Sequence, residues 1–167
     1  HAARPDLIFF AGDCFESPYN LNIHTVEPFR QLNAPVYFVS GNHDGYVGTD
    51  SVKSLLQQVG VRVLETEVVE HHGLQIVGLD YMRADEQDGN SMHAPVGDAT
   101  IESVSKELIH KGDLPVVVLH HNPCGGKYLE QAGVDLYLAG HTHGGQLYPL
   151  IWINDRIFQF NRGLYRS

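Results

Sequence analysis

Four short apolar runs in this chain each stop at a tight polar turn, and the turns present aspartate, asparagine and histidine. Residues 7–11 run into Gly12-Asp13, and 36–40 run into Gly41-Asn42-His43-Asp44. Residues 116–119 run into His120-His121-Asn122-Pro123, and 136–139 into Gly140-His141-Thr142-His143-Gly144-Gly145. Short runs of β-branched and aromatic residues bounded by Gly, Pro, Asp and Asn predict strands buried on both faces. Runs 61–64 and 74–79 are of the same kind, and 68–79 reads as a hairpin turning at His71-His72-Gly73.

Helical patterns fall between the strands. Val52, Leu55, Leu56 and Val59 recur at helical spacing, with Thr49 or Asp50 as N-cap and Gly60 as the stop. Ile101, Val104, Leu108 and Ile109 mark a second helix capped by Asp98, and 23–32 and 127–132 give weaker signals. Strands alternating with helices, plus one hairpin, predict an α/β sheet system in a single domain over residues 1–167. The polar stretch 86–97, which contains His93, reads as a surface loop able to reach over a site at the strand ends.

In open α/β sheets ligands bind at the C-terminal strand edge, where loops converge on a rigid frame. One carboxylate, one amide oxygen and several imidazoles form a mixed oxygen and nitrogen donor set. Such a set suits Mn, Fe, Zn or Co better than Ca or Mg. Gly12, Gly41 and Gly140 allow the chain to turn sharply and approach an ion. Composition agrees: 11 histidines equal lysine and arginine together. The net charge of −9 argues against gripping nucleic acid, and two cysteines are too few for a disulfide scaffold. No apolar run is long enough to span a bilayer.

Taken singly, each turn has an ordinary reading: a Gly-Asp turn, a helix cap, one buried histidine beside an exposed one. Together and in this order, Gly12-Asp13, Gly41-Asn42-His43-Asp44, His121-Asn122-Pro123 and Gly140-His141-Thr142-His143-Gly144-Gly145-Gln146 resemble the signature blocks of the calcineurin-like metallophosphoesterases. With Asn161-Arg162-Gly163-Leu164-Tyr165, the last block is similar to the bacterial membrane-associated branch related to UDP-diacylglucosamine hydrolases. The resemblance runs from about Asp6 to Tyr165. It implies an α/β/β/α sandwich holding two divalent transition metal ions (Mn, Fe, Zn or Co, with Mn foremost). Asp13 would bridge the ions. Asn42, His121 and His141 would complete one metal site, and His143 would join the other. His43 would be the general acid, with Asp44 orienting or polarising its ring. His121 is chosen over His120 because the block reads His-x-Pro and strand alternation sends the two rings to opposite faces.

The implied reaction is hydrolysis of a phosphodiester or pyrophosphate by a metal-bound hydroxide, on a small phosphoester or nucleotide-lipid substrate. The alternatives are a catalytically silent metal-binding module and a nuclease of the same superfamily. The family's opening Asp-x-His block occurs nowhere in the sequence. The expectation is therefore a fragment whose first strand, helix and last strands lie elsewhere, with any membrane association coming through those segments; the alternative is a degenerate homologue with one crippled metal site. Cys14 reads as a small buried hydrophobe, with metal binding or oxidation as the rival. His71 and His72 read as solvated turn residues, His24 and His110 as exposed helix positions, and Tyr46 and Tyr148 as packing beside the blocks.

Overall fold

The computed structural model describes residues 4–81, 98–109, 112–145, 152, 155–156 and 161–166. The 86–97 loop with His93, and also His110, Gln146 and Tyr148, lie outside these residues. Strands β1 (Ile8–Phe10), β2 (Val36–Phe38) and β3 (Arg62–Val63) form one parallel sheet in that order. Strands β4 (Glu67–His71), β5 (Leu74–Leu79), β6 (Val116–His120) and β7 (Leu136–Leu138) form a second. Its β4–β5 pair is antiparallel, whereas β5, β6 and β7 run parallel.

Strand alternation divides the apolar side chains between three cores. Phe9 and Tyr37 point from the first sheet, with Leu64 just past β3, into a layer shared with Ile76 and Leu119 of the second. Their neighbours Phe10, Val36 and Phe38 face the other way and pack with Val26, Val52 and Leu56. On the far side of the second sheet, Val77, Leu79, Val116 and Val118 lie under Ile101 and Leu129. The result is helices, sheet, sheet, helices, as the resemblance implies. Among the described residues no helix is long and apolar enough to cross a membrane.

The helices follow the apolar spacing, with local corrections. The pattern over 23–32 divides into α1 (Ile23–Val26) and a 3-10 turn, Glu27–Gln31. Pro28 has no N–H for the helical ladder, and its ring crowds the preceding turn. The Asn42-His43-Asp44 turn is the first turn of a six-residue helix, α2 (Asn42–Val47). It gives way directly to α3 (Thr49–Gln58) at Gly48, whose φ of 115° lets the chain change direction. Gly48, not Thr49 or Asp50, therefore occupies the cap position, and Asp50 contributes its charge to the first turn. Gly60, at φ 90°, ends α3: its N–H donates to the Gln57 carbonyl, and that of Val61 to Leu56. The second long helix, α4 (Asp98–Leu108), includes Asp98 rather than starting after it, and α5 is Gly126–Gln131.

The hairpin turns at His72 and Gly73, both with positive φ, as a two-residue turn between twisted strands demands. His72 is exposed and His24 likewise. His71 departs from the solvated reading, because it is half-buried and its Nδ1 lies 3.0 Å from the Tyr37 hydroxyl.

Gly78 on β5 faces the layer between the sheets, where an added Cβ would collide with the Leu64 side chain. Gly78→Ala is expected to lower stability by ~1–3 kcal/mol, the usual cost of overpacking a core, read as a shift in urea midpoint. An unchanged midpoint would show that the layer is loosely packed.

Candidate metal centre

The two sheets lie so that the ends of β1 and β2 meet the ends of β6 and β7. Asp13 and Asn42 come from the first sheet, His121 and His141 from the second. His121 Nε2 is 3.0 Å from Asn42 Oδ1, 3.1 Å from His141 Nδ1 and 3.2 Å from Asp13 Oδ2. His141 Nδ1 is 2.9 Å from Asn42 Oδ1. Among the described residues, no three carboxylate, imidazole or thiol side chains alone make up an ion-binding group. The Asn42 amide oxygen stands within 3.0 Å of both imidazoles.

Protonation shows what these atoms are arranged for. His121 Nδ1 lies 2.6 Å from the Ala11 carbonyl, which only accepts, so Nδ1 carries the proton. In the neutral ring the Nε2 lone pair then faces the cluster. The Asn42 amide donates from Nδ2 to the Tyr46 hydroxyl at 3.4 Å, which leaves its oxygen facing the two imidazoles. Burial, and then the charge on His121, push His141 down to about 4, so it is neutral near pH 7. Asp13 sits below the usual carboxylate range: burial, the largest influence, opposes this, but contact with His121 and the His43 N–H outweigh it. With Nδ1 of His121 committed to the Ala11 carbonyl, Asn42 Oδ1, Asp13 Oδ2 and the inward ring nitrogens of His121 and His141 stand face to face. Two imidazole nitrogens, an amide oxygen and a carboxylate oxygen form a mixed set of the kind that would hold a divalent transition ion. Holding His121 by a carbonyl on its other nitrogen is the usual support for a metal-ligating imidazole.

Backbone strain gathers at the same place. Asp13, His141 and His143 all have φ between 51° and 67°, a region non-glycine residues rarely occupy. Gly12 and Gly41 make the close approach possible. A Cβ on Gly12 would stand 2.6 Å from His121 Nδ1, and one on Gly41 would strike the Asp13 carboxylate. Gly140 is different, having ordinary contacts and no positive φ.

Asp44 is fully buried, and its carboxylate accepts from four backbone N–H groups, those of Asp13, Cys14, Phe15 and Gly41, at 2.8–3.2 Å. All four of these bonds run to the backbone rather than to the His43 ring. Asp44 instead fastens the Asp13 turn to the Asn42 turn. Burial raises its pKa, and the four N–H groups counter part of that rise. His43 donates its backbone N–H to Asp13 Oδ1 at 3.0 Å, and its half-buried ring lies 5.5 Å from that of Tyr46. Tyr46 is 53% exposed, so it lines the site's rim rather than filling a core.

His143 is on the exposed side of the final turn, close enough to His141 to depress its basicity. Thr142 between them donates to the Asn161 carbonyl at 2.5 Å, which joins the last two sequence blocks. The adjacent histidines at the end of β6 are both buried but separate: His121 enters the cluster, and His120 has its Nδ1 3.4 Å from the Tyr137 hydroxyl. Cys14 packs against the first sheet's outer core, and burial followed by the Asp44 charge pushes its thiol up to about 12. Such a thiol is inert near neutral pH. Tyr81, which sequence reasoning passed over, lays its ring 5.6 Å from that of His121 and 6.2 Å from that of His141. The signal was present, because the apolar run 74–79 also ends at a polar pair, Asp80-Tyr81.

Burial holds His120 at about 3, as it holds His141 at about 4. In the unfolded chain both take up protons below about pH 6.5. Stability is therefore complete above that pH and declines as pH falls towards the folded values. The urea midpoint of metal-free protein is expected to drop between about pH 7 and about pH 5, with a shallower slope for His120→Asn. A midpoint independent of pH over that interval would contradict the neutral, buried placement of these rings.

Comparison with known proteins agrees with this architecture. Residues 1–145 match the calcineurin-like phosphoesterase family. An uncharacterized metallophosphoesterase of Helicobacter pylori is 27% identical over 96% of the chain and 42% of its own length. Another, from Aquifex aeolicus, is 31% identical over 96% of the chain and 60% of its own length. The phosphodiesterase YaeI of Escherichia coli is 30% identical over 89% of the chain and 53% of its own length. The chain thus spans less than two thirds of each of these relatives. A match over so much of the chain, on a fold whose strand ends converge in this way, makes it a member of the calcineurin-like phosphoesterase family.

Proposed function

We propose that the protein is a metal-dependent phosphoesterase that hydrolyses a phosphodiester or pyrophosphate bond in a small substrate. The observation that carries this reading is the convergence of Asn42 Oδ1, His121 Nε2, His141 Nδ1 and Asp13 Oδ2 at spacings of 2.9–3.2 Å. These four residues would hold one divalent transition ion, and Asp13 with His143 would contribute to a second. Such ions supply Lewis acidity, activating water and neutralising charge on the phosphoryl oxygens. The relative named as a phosphodiesterase supports a diester substrate over a protein phosphatase role.

The chain's own residues have separable tasks. Asp44 fixes the two turns from the first sheet, so that Asp13 and Asn42 present their oxygens together. The Ala11 carbonyl keeps the proton of His121 on Nδ1 and its Nε2 turned inward. His43 stands beside Asp13 with its ring half-buried, and it would give its proton to the leaving-group oxygen as general acid. Tyr46, against that ring and on the Asn42 amide, keeps both oriented.

Turnover of bis(p-nitrophenyl) phosphate with Mn²⁺ tests the assignment, alongside metal content by elemental analysis. His43→Ala is expected to lower kcat by ~10²–10⁴-fold with metal content unchanged. Asp13→Ala should lose both activity and metal. Wild-type protein that holds metal but never turns over would favour a silent binding module. Loss of metal from His43→Ala would make His43 a ligand and remove it as the acid.

A further inference from the structure

A fifth strand end stands among the four that carry the donors. β5 runs parallel to β6, so Asp80 and Tyr81 emerge at the same edge as His121. Asp80 is 2% exposed, and both of its oxygens are engaged. Oδ1 accepts from the hydroxyl of Ser40, and Oδ2 is 2.6 Å from Lys53 Nζ. Lys53, itself 8% exposed, also reaches Glu65 Oε1 at 2.7 Å. The Asp80 N–H donates to Thr66 Oγ1 at 3.2 Å.

The placement of this network gives it meaning. Ser40 is fully buried at the end of β2, two residues before Asn42. Its bond to Asp80 therefore passes from the first sheet to the second beside the donor cluster. Next along the chain from Asp80, Tyr81 packs its ring on the imidazoles of His121 and His141. A buried Lys–Asp pair gives little net stability, because desolvating two charges offsets their attraction. Its position across the seam on which the donor spacing depends indicates a different role. Lys53 remains a cation there: burial works against its charge, but the bonds to Asp80 and Glu65 outweigh burial and raise its pKa.

We propose that Asp80 is a positioning residue for the metal centre, setting Asn42 through Ser40 and seating His121 and His141 through Tyr81. This rests on the metal-centre reading above. Ser40→Ala removes the bond across the seam and leaves the ion pair intact. Asp80→Asn combined with Lys53→Met removes the pair without leaving a buried charge unmatched.

Mn²⁺ affinity, measured from the EPR signal of free Mn²⁺, is compared with the urea midpoint of the metal-free proteins. Both variants are expected to stay folded by near-ultraviolet circular dichroism and to bind Mn²⁺ about tenfold or more weakly, as for other groups behind metal ligands. A merely structural role would lower the urea midpoint and leave the Mn²⁺ affinity of the folded protein unchanged, which overturns the proposal. Wild-type protein that binds no Mn²⁺ would overturn the metal-centre reading, and this inference with it.

Discussion

The hydrogen bond from His121 Nδ1 to the Ala11 carbonyl joins the end of one sheet to the end of the other. Everything at the site depends on the alignment it records. Two donors come from each sheet, so a shift of even an ångström between sheets would take Asn42 out of reach of His121 and His141. The layer of Tyr37, Val39, Leu64, Ile76 and Leu119 sets the distance between the sheets. Close-packed interiors resist such sliding, so the hydrophobic core is also what gives the polar cluster its precision. Gly12 and Gly41 then allow the turns to touch where any side chain would hold them apart.

Concentrating lone pairs, strained backbone and buried carboxylates in one place is unfavourable, and the surrounding structure shows how it is sustained. Asp44 offers its two oxygens to four backbone N–H groups and so ties down the turn in which Asp13 has positive φ. The carboxylate serves where a helix cap would, at the first turn of α2, and reaches 29 to 31 residues back along the chain to do so. His141 and His143 have their own anchor in Thr142, which is bonded to the Asn161 carbonyl. A site assembled before any ion arrives loses less ordering entropy on binding one.

What the sequence disclosed follows the range of the interactions involved. Strand runs, the stop at Gly60 and the hairpin at His72-Gly73 depend on near neighbours, and they were legible. So was the set of four turns, because each declares itself within a few residues of a strand. Long-range partners were hidden. Nothing local shows that Asp44 bonds the backbone after β1 rather than the His43 ring, or that His71 meets Tyr37 across the sheets. Asp80 was hidden because a lone aspartate after a strand looks like any turn residue. Its significance comes from Lys53 and Ser40, 27 and 40 residues away. The break in the helix at Pro28 was a local signal that the apolar spacing alone overrode.

The central claim is that donors from both sheets share one ion. Pulsed EPR on the Mn²⁺-loaded protein tests it directly, because nitrogen coupling counts imidazoles bound to the metal. The account predicts two imidazoles, His121 and His141, on the ion shared by the sheets when one equivalent of Mn²⁺ is bound, with one remaining after His141→Ala. Bound Mn²⁺ without nitrogen coupling, or with the same coupling in His141→Ala, would contradict it.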